Sequence, residues 1–195
     1  MTAESVEHRV QWPVPPQDGH TVDDLFTLPD LPPHTELIDG SLVFVSPQRD
    51  FRSVVIDLLV QGLRTTAPTD LRVRREMTVV LDRRNGPEPN VSVLRAEATS
   101  RTRTSYPAGD VALVVEVVSP ESESRDRTTK PHKYAAAGIP NFWRVEAETN
   151  DQPIVHVYEL DPLTKAFVHM GTHRDRIKVD KPYPIDIDLT AVDRL

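Results

Sequence analysis

A short apolar run that contains a single carboxylate constrains the fold of this chain more than any other feature. Residues 111–118 read VALVVEVV, and Glu116 is the only polar side chain among them. Such a run is typical of a central strand that is buried on both faces. Burying a carboxylate without a partner is strongly unfavourable, so a metal ion, a lysine or an arginine is expected close to Glu116.

The segment after this strand offers a partner for Glu116. A Ser-Pro pair breaks the strand, and Pro131, which is tolerated only in the first turn of a helix, places a helix start near residue 129 or 130. Lys130 and Tyr134 are four residues apart and share one face of that helix. If the helix packs back over the strand, Lys130 approaches Glu116.

Two interpretations of this pair stay open on spacing alone. A carboxylate and a lysine at a strand end form half of a metal-dependent hydrolytic site, in which the carboxylate binds Mg²⁺ and the lysine orients water or offsets transition-state charge. Alternatively, Glu116 forms a structural ion pair or faces water at the strand end, and Lys130 is an exposed lysine at a helix start.

The rest of the pattern predicts one mixed α/β domain. Asp39-Gly40 favours a tight turn, so residues 35–47 are expected to form a hairpin. Apolar residues at helical spacing predict a helix over residues 51–63, and Thr21 marks the start of a shorter helix. Further strands are predicted at residues 71–74, 77–81, 91–94, 141–145, 154–160 and 166–170. This order is typical of a central mixed, curved sheet flanked by helices.

Length and composition limit the kinds of fold, metal site and cellular location that are possible for this chain. The 195 residues contain no cysteine, which excludes disulfides and thiolate metal sites. Proline and glycine without periodicity predict a flexible arm over residues 1–20, followed by a single domain over residues 21–195. No apolar run approaches the roughly 20 residues that span a bilayer, and the first residues lack a secretory signal, so a cytoplasmic location without membrane contact is expected.

The charge distribution matters more than the total charge. A net charge of −7 argues mildly against a nucleic-acid-binding protein, because phosphate neutralisation requires a basic surface. Arginines and lysines are nevertheless concentrated between residues 72 and 133, and the acidic excess lies mainly at the two ends. The alternative is a solvated surface with scattered cations.

Five segments resemble the Uma-two family of restriction endonucleases. They are TELIDGSLV, EPNVSVL, VALVVEVVSPES, RDRTTKPHKYAAAGIPNFWRV and VHVYEL. The resemblance implies a restriction-endonuclease-like fold of the PD-(D/E)xK superfamily, and hydrolysis of DNA phosphodiester bonds with Mg²⁺ or Mn²⁺. DNA is the implied partner, and a homodimer is expected by analogy with other nucleases of this fold.

The resemblance also implies roles for individual residues. Glu36 corresponds to an auxiliary acid near the site, and Glu116 to a metal-binding carboxylate. The lysine that usually lies two residues after that carboxylate has moved to the following helix as Lys130, with Asp126 and Tyr134 in the same motif. The residues expected to contact nucleic acid are Arg52, Arg74, Arg125 and Lys133.

Two positions depart from the family pattern. The family has an aspartate where this chain has Asn90, whose carbonyl brings no charge to a hard cation such as Mg²⁺. Arg52 replaces a histidine near the start of the long helix. Glu88, two residues before Asn90, would point to the same face of a strand and supply the missing charge, unless it is a surface acid.

Two functions follow from these residues. The first is a metal-dependent endonuclease that Asn90 impairs, with Glu116, Lys130 and Glu36 in catalysis and Glu116, Asn90 and Glu88 at the metal. The alternative is a catalytically inactive protein of the same fold that binds nucleic acid or a protein partner. Salt-sensitive DNA binding without cleavage distinguishes the second from the first.

Overall fold

The computed structural model describes residues 13–45, 48–148 and 151–195. The α-helices are α1 Val22–Thr27, α2 Asp50–Thr66 and α3 Lys130–Ala136. The strands are β1 Glu36–Ile38, β2 Ser41–Val43, β3 Leu71–Arg75, β4 Thr78–Val80, β5 Val91–Arg95, β6 Ser105–Pro107, β7 Val111–Val117, β8 Asn141–Ala147, β9 Pro153–Asp161, β10 Ala166–His173, β11 Arg176–Val179 and β12 Ile185–Asp188. A π-helical turn, Arg125–Thr129, directly precedes α3, and 3-10 turns lie at Ala96–Ala98, Ala108–Asp110 and Leu189–Arg194.

A six-stranded sheet with the order β10-β9-β8-β7-β5-β3 forms the centre of the molecule. β7, the strand that carries the apolar run, lies inside this sheet, as predicted. It runs parallel to β8 and antiparallel to β5, so the sheet is mixed. All of its residues except Ala112 are buried. The predicted mixed α/β class is confirmed.

Apolar layers cover both faces of the sheet. α2 packs its apolar stripe, which includes Leu59 and Leu63, on one face beside Trp143. Tyr134 of α3 and Phe142 of β8 belong to the layer on the opposite face. Each fully buried side chain of this size stabilises the fold by roughly 1.5–3 kcal/mol through removal from water. The second layer places α3 beside β7.

Capping and turn residues explain where the first elements begin. The side-chain oxygen of Thr21 accepts a hydrogen bond from the Asp24 N–H, and the Asp24 carboxylate accepts one from the Thr21 N–H, which forms a capping box at α1. Asp39 and Gly40 have φ angles of 51° and 77°, as the tight turn between β1 and β2 requires. Both of these predictions are confirmed.

Several short elements were not predicted from the sequence, and they include β6, β11, β12 and the π-helical turn. Residues 105–107, expected in a loop, form β6 and pair in parallel with β4. The proline-punctuated C-terminal segment contributes β12, which pairs with β11. The π-helical turn replaces a segment expected to be irregular. Each element spans only three to five residues, too few for a period to be recognised.

Residues 13–20 lie against the hairpin. The N–H of His20 donates to the carbonyl oxygen of Gly40 at 2.8 Å, and the His20 side chain is buried. The folded part of the chain therefore begins before residue 21. Most of the predicted arm falls on residues 1–12, outside the described residues, so the flexibility of the arm stays a prediction. Over the described ranges, no helix is long and apolar enough to cross a membrane.

Candidate active site

Four charged residues from separate elements meet beside the C-terminal end of β7. Glu116 comes from β7 and Glu36 from the start of β1, while Lys130 opens α3 and Asp126 lies in the π-helical turn. All four side chains are buried, with at most 5% of their surface exposed. Departures from α-helical geometry of this kind are frequent at functional sites. We call these four residues the carboxylate–lysine cluster.

The ammonium group of Lys130 is at the centre of this cluster. Lys130 Nζ lies 2.8 Å from Glu36 Oε1 and 3.1 Å from Glu116 Oε1. Asp126 Oδ1 lies 3.2 Å from the same nitrogen, although this contact lacks hydrogen-bond geometry. The approach of Lys130 to Glu116, predicted from the shared helix face, is confirmed. Glu116 is therefore neither exposed at the strand end nor unpaired.

The cluster contains three carboxyl groups but only one ammonium group, so one positive charge cannot balance three ionised carboxylates. Burial raises the pKa of Glu116 to about 8, even though Lys130 opposes this shift. Burial opposes the charged form of Lys130, but the three carboxylates outweigh it and hold the pKa of Lys130 above its usual value. Burial therefore favours the protonated form of Glu116, whereas Lys130 stays charged.

Tyr134 fixes the orientation of Glu116 from the next turn of α3. Its hydroxyl donates a hydrogen bond to Glu116 Oε1 at 2.5 Å, and both side chains are buried. Burial and then the nearby Glu116 raise the pKa of Tyr134 well above its usual value, so the phenol keeps its proton as a donor. Lys130 and Tyr134 thus hold the same carboxylate oxygen from one helix face.

All four residues of the cluster line a cavity of about 140 Å³. Arg49, Arg52 and Arg125 line other parts of the same cavity, together with Ser119 and Ser122. The Nε atoms of Arg52 and Arg125 are buried and have no hydrogen-bond partner among the described residues. The cavity is therefore lined by both carboxylates and cations, although Arg49 lies 3.6 Å from a further lining acid, Glu121. Such a lining is suited to an anion that reacts beside carboxylates.

The structure does not bring Asn90 into this cavity. Asn90 is completely buried, and its Oδ1 accepts a hydrogen bond from the Val117 N–H at 2.6 Å. Its Nδ2 has no partner among the described residues. The residue lies beside the cluster in the sheet, since its neighbour Val91 is paired with Val115. Asn90 therefore does not line the cavity, and its expected role as a metal ligand stays a prediction.

Glu88 approaches the cluster through its backbone and not through its carboxylate. The Glu88 N–H donates to Glu36 Oε1 at 2.8 Å. The carboxylate instead lies 2.5 Å from Nδ1 of His34, in a second pocket that shares the side chain of Arg52 with the cavity. β5 begins only at Val91, so the assumption that Glu88 and Asn90 share one face of a strand is wrong. The Glu88 carboxylate is thus paired with His34 in this arrangement, and its role at a metal ion stays a prediction.

The four predicted nucleic-acid contacts divide into two pairs. Arg52 and Arg125 line the cavity. Arg74 lies on β3, where its Nη1 donates to the carbonyl oxygen of Val73, and Lys133 forms an ion pair with Asp39 on the hairpin turn. Neither of these two lines the cavity. Arg49 does, and sequence reasoning missed it because only the packing of the α2 start against the Ser119 loop brings it there.

Comparison with known proteins identifies the family. Residues 22–190 match Uma2, a family described as "Putative restriction endonuclease". The chain belongs to the Uma2 family. Four solved chains also match. One is a crystal structure titled as a putative nuclease belonging to DUF820 from Anabaena variabilis ATCC 29413, with 16% identity, a TM-score of 0.64, and coverage of 88% of this chain and 96% of that chain. The search of curated proteins found no match.

The family match and the structural match together establish a restriction-endonuclease-like fold for this Uma2 protein, as the sequence resemblance implied. Proteins of this family generally use divalent metal ions. Among the described residues, no three metal-binding side chains are arranged to hold an ion by themselves. Mg²⁺ is, however, commonly bound by one or two carboxylates together with substrate phosphates. Glu116 and Glu36 line the cavity and fit a site of that kind.

Proposed function

We propose that this Uma2 protein is an endonuclease that hydrolyses DNA phosphodiester bonds with Mg²⁺ or Mn²⁺. The observation that carries the proposal is that the carboxylate–lysine cluster lines a cavity that is also lined by arginines. A phosphodiester is an anion, and its hydrolysis benefits from carboxylates that bind a metal ion and from cations that offset the developing negative charge.

Each residue of the site has a role in this proposal. Glu116 and Glu36 would hold the ion, which supplies activated water and neutralises charge on the phosphorus centre. Lys130 would donate to the attacking water or to a phosphate oxygen. Arg52 and Arg125 would bind the phosphate, since their buried Nε atoms have no acceptor in the part of the chain that the structure describes. Tyr134 keeps the Glu116 carboxylate in place through its hydrogen bond.

Asn90 favours a second candidate function. It provides no charge, and its one oxygen already accepts from the Val117 N–H. A site with one metal ligand fewer is expected to cleave DNA slowly. Complete loss of cleavage would leave a protein that binds nucleic acid through the arginines that line the cavity. The protein partner, the homodimer and the cytoplasmic location stay predictions.

Nicking of supercoiled plasmid in Mg²⁺ or Mn²⁺ tests the proposal. We expect slow, metal-dependent nicking by the unmodified chain and none by the Glu116→Gln variant. Glu97→Gln, which changes an exposed glutamate in a 3-10 turn, is the matched control and should nick like the unmodified chain. Nicking that survives in the Glu116 variant would place the chemistry elsewhere. Salt-sensitive DNA binding without nicking would favour the second function.

A further inference from the structure

Lys130 is surrounded as a bound cation would be. Three carboxylate oxygens lie 2.8, 3.1 and 3.2 Å from its Nζ, and the side chain is 5% exposed. We infer that the Lys130 ammonium occupies the cation position of the cluster, and that a divalent ion binds tightly only when a phosphate in the cavity draws this lysine away from the carboxylates. The inference rests on the proposed function and concerns how ion and substrate bind together.

The distances show why the ammonium and the ion compete. Ligand oxygens lie about 2.0–2.6 Å from Mg²⁺ or Ca²⁺, so the carboxylate oxygens need to move inward by roughly 0.2–1.2 Å to replace the ammonium with an ion. Both cations cannot lie within this ring of oxygens, because like charges a few ångströms apart repel strongly in a buried setting. The absence of a ready metal site among the described residues agrees with this competition.

The cavity gives Lys130 an alternative partner. Its side chain lines the same space as Arg49, Arg52 and Arg125. Arg49 lies 3.6 Å from Glu121, which lines the same cavity, whereas the buried Nε atoms of Arg52 and Arg125 have no acceptor among the described residues. Arg52 and Arg125 are therefore the arginines best suited to attract a phosphate into the cavity. A lysine is a flexible point charge with three donors, so it can exchange a carboxylate for a phosphate oxygen without leaving the cavity. The carboxylates are then available to the ion.

This exchange makes the two binding events reciprocal. If phosphate raises the affinity for the ion by some factor, the ion must raise the affinity for phosphate by the same factor. The free protein therefore holds the ion weakly, and the complete site forms only with substrate present. Removal of Lys130 is therefore expected to change the affinity for the ion directly.

Titration with Mn²⁺, followed by electron paramagnetic resonance of the free ion, tests the inference without requiring cleavage. We expect Lys130→Met to bind one Mn²⁺ roughly tenfold more tightly than the unmodified chain, because the competing charge is gone. Lys133→Met is the matched control: it removes a lysine from the same helix that pairs with Asp39 outside the cluster, and it should bind Mn²⁺ like the unmodified chain. Equal affinity in Lys130→Met and the unmodified chain overturns the inference.

Thermal unfolding shows whether Lys130→Met is folded. A second measurement needs only the unmodified chain and tests the inference even if this variant does not fold. Inorganic phosphate should raise the Mn²⁺ affinity of the unmodified chain, after correction for Mn²⁺ bound to phosphate alone. Unchanged affinity overturns the inference. If phosphate raises the Mn²⁺ affinity but the plasmid is not nicked, the inference is supported and the nuclease proposal is rejected. If the plasmid is nicked but phosphate leaves the Mn²⁺ affinity unchanged, the inference is overturned and the nuclease proposal is supported.

Discussion

The side-chain oxygen of Asn90 accepts a hydrogen bond from the backbone N–H of Val117 at 2.6 Å, across the boundary between two neighbouring strands of the main sheet. This contact places residue 90 beside Glu116 in a completely buried position. It also uses the one oxygen that an asparagine offers. The residue that departs from the family pattern therefore has a structural role in this chain.

The first prediction concerns Asn90→Asp. One carboxylate oxygen keeps the Val117 hydrogen bond, and the other replaces a buried Nδ2 that has no partner within the described ranges. In EDTA the variant should therefore lose roughly 1–3 kcal/mol of unfolding free energy. Mn²⁺ should restore more stability to this variant than to the unmodified chain, because a charged oxygen now lies next to Glu116. Urea unfolding with EDTA and with Mn²⁺ measures both effects. An identical response to Mn²⁺ would place residue 90 outside the reach of the ion.

The second prediction concerns the pH dependence of stability in EDTA. The Glu116 carboxyl has an ordinary pKa of 4.5 and a pKa of about 8 in the folded protein, because it is buried. Between these values the unfolded chain has lost the proton and the folded chain retains it, so this carboxyl's contribution to stability is complete below about pH 4.5 and declines as the pH rises towards 8. Lys130, whose pKa is raised, stays charged throughout this window.

Glu116→Gln should therefore flatten the fall in unfolding free energy between about pH 5 and pH 8. Urea titrations across this range measure the slope, and Glu97→Gln should keep the slope of the unmodified chain. A Glu116→Gln variant that retains the full slope would assign the dependence to another group.

The third prediction separates the arginines of the cavity from those outside it. Arg52→Ala and Arg125→Ala should each weaken DNA binding and reduce the slope of log affinity against log salt by about one, because each removes one phosphate contact. Arg74→Ala should leave both quantities unchanged, since Arg74 lies on β3 and does not line the cavity. Fluorescence anisotropy at several salt concentrations provides the comparison. Equal losses in all three variants would indicate a diffuse electrostatic surface.

The central pair of the candidate site, Glu116 and Lys130, is predictable from the sequence, whereas the residues around this pair are not. Glu116 was identifiable because a carboxylate in a buried strand must be compensated, and Lys130 because Pro131 fixes the helix start one residue earlier. Asp126 joins them through a π-helical turn that no short-range pattern predicts. The side-chain directions of Asn90 and Glu88 depend on where β5 begins, and element boundaries are poorly determined by periodicity.

The final prediction concerns the hydroxyl of Tyr134. Tyr134→Phe removes the 2.5 Å hydrogen bond to Glu116 and leaves the buried carboxyl with fewer donors, so we expect a loss of roughly 1–3 kcal/mol of unfolding free energy and slower plasmid nicking. Because this hydrogen bond lowers the pKa of Glu116, its removal should also extend the pH-dependent fall in stability to higher pH.

Tyr183→Phe is the matched control for this hydroxyl. It removes a buried hydrogen bond, in which the Tyr183 hydroxyl donates to the Leu63 carbonyl oxygen at 2.7 Å, at a position outside the cavity. It should lower stability without changing either nicking or the pH profile. If the two variants lose stability alike and nick alike, the Tyr134 hydroxyl only supports the fold. If Tyr134→Phe alone slows nicking and shifts the pH profile, the hydroxyl positions the carboxylate on which the proposed chemistry depends.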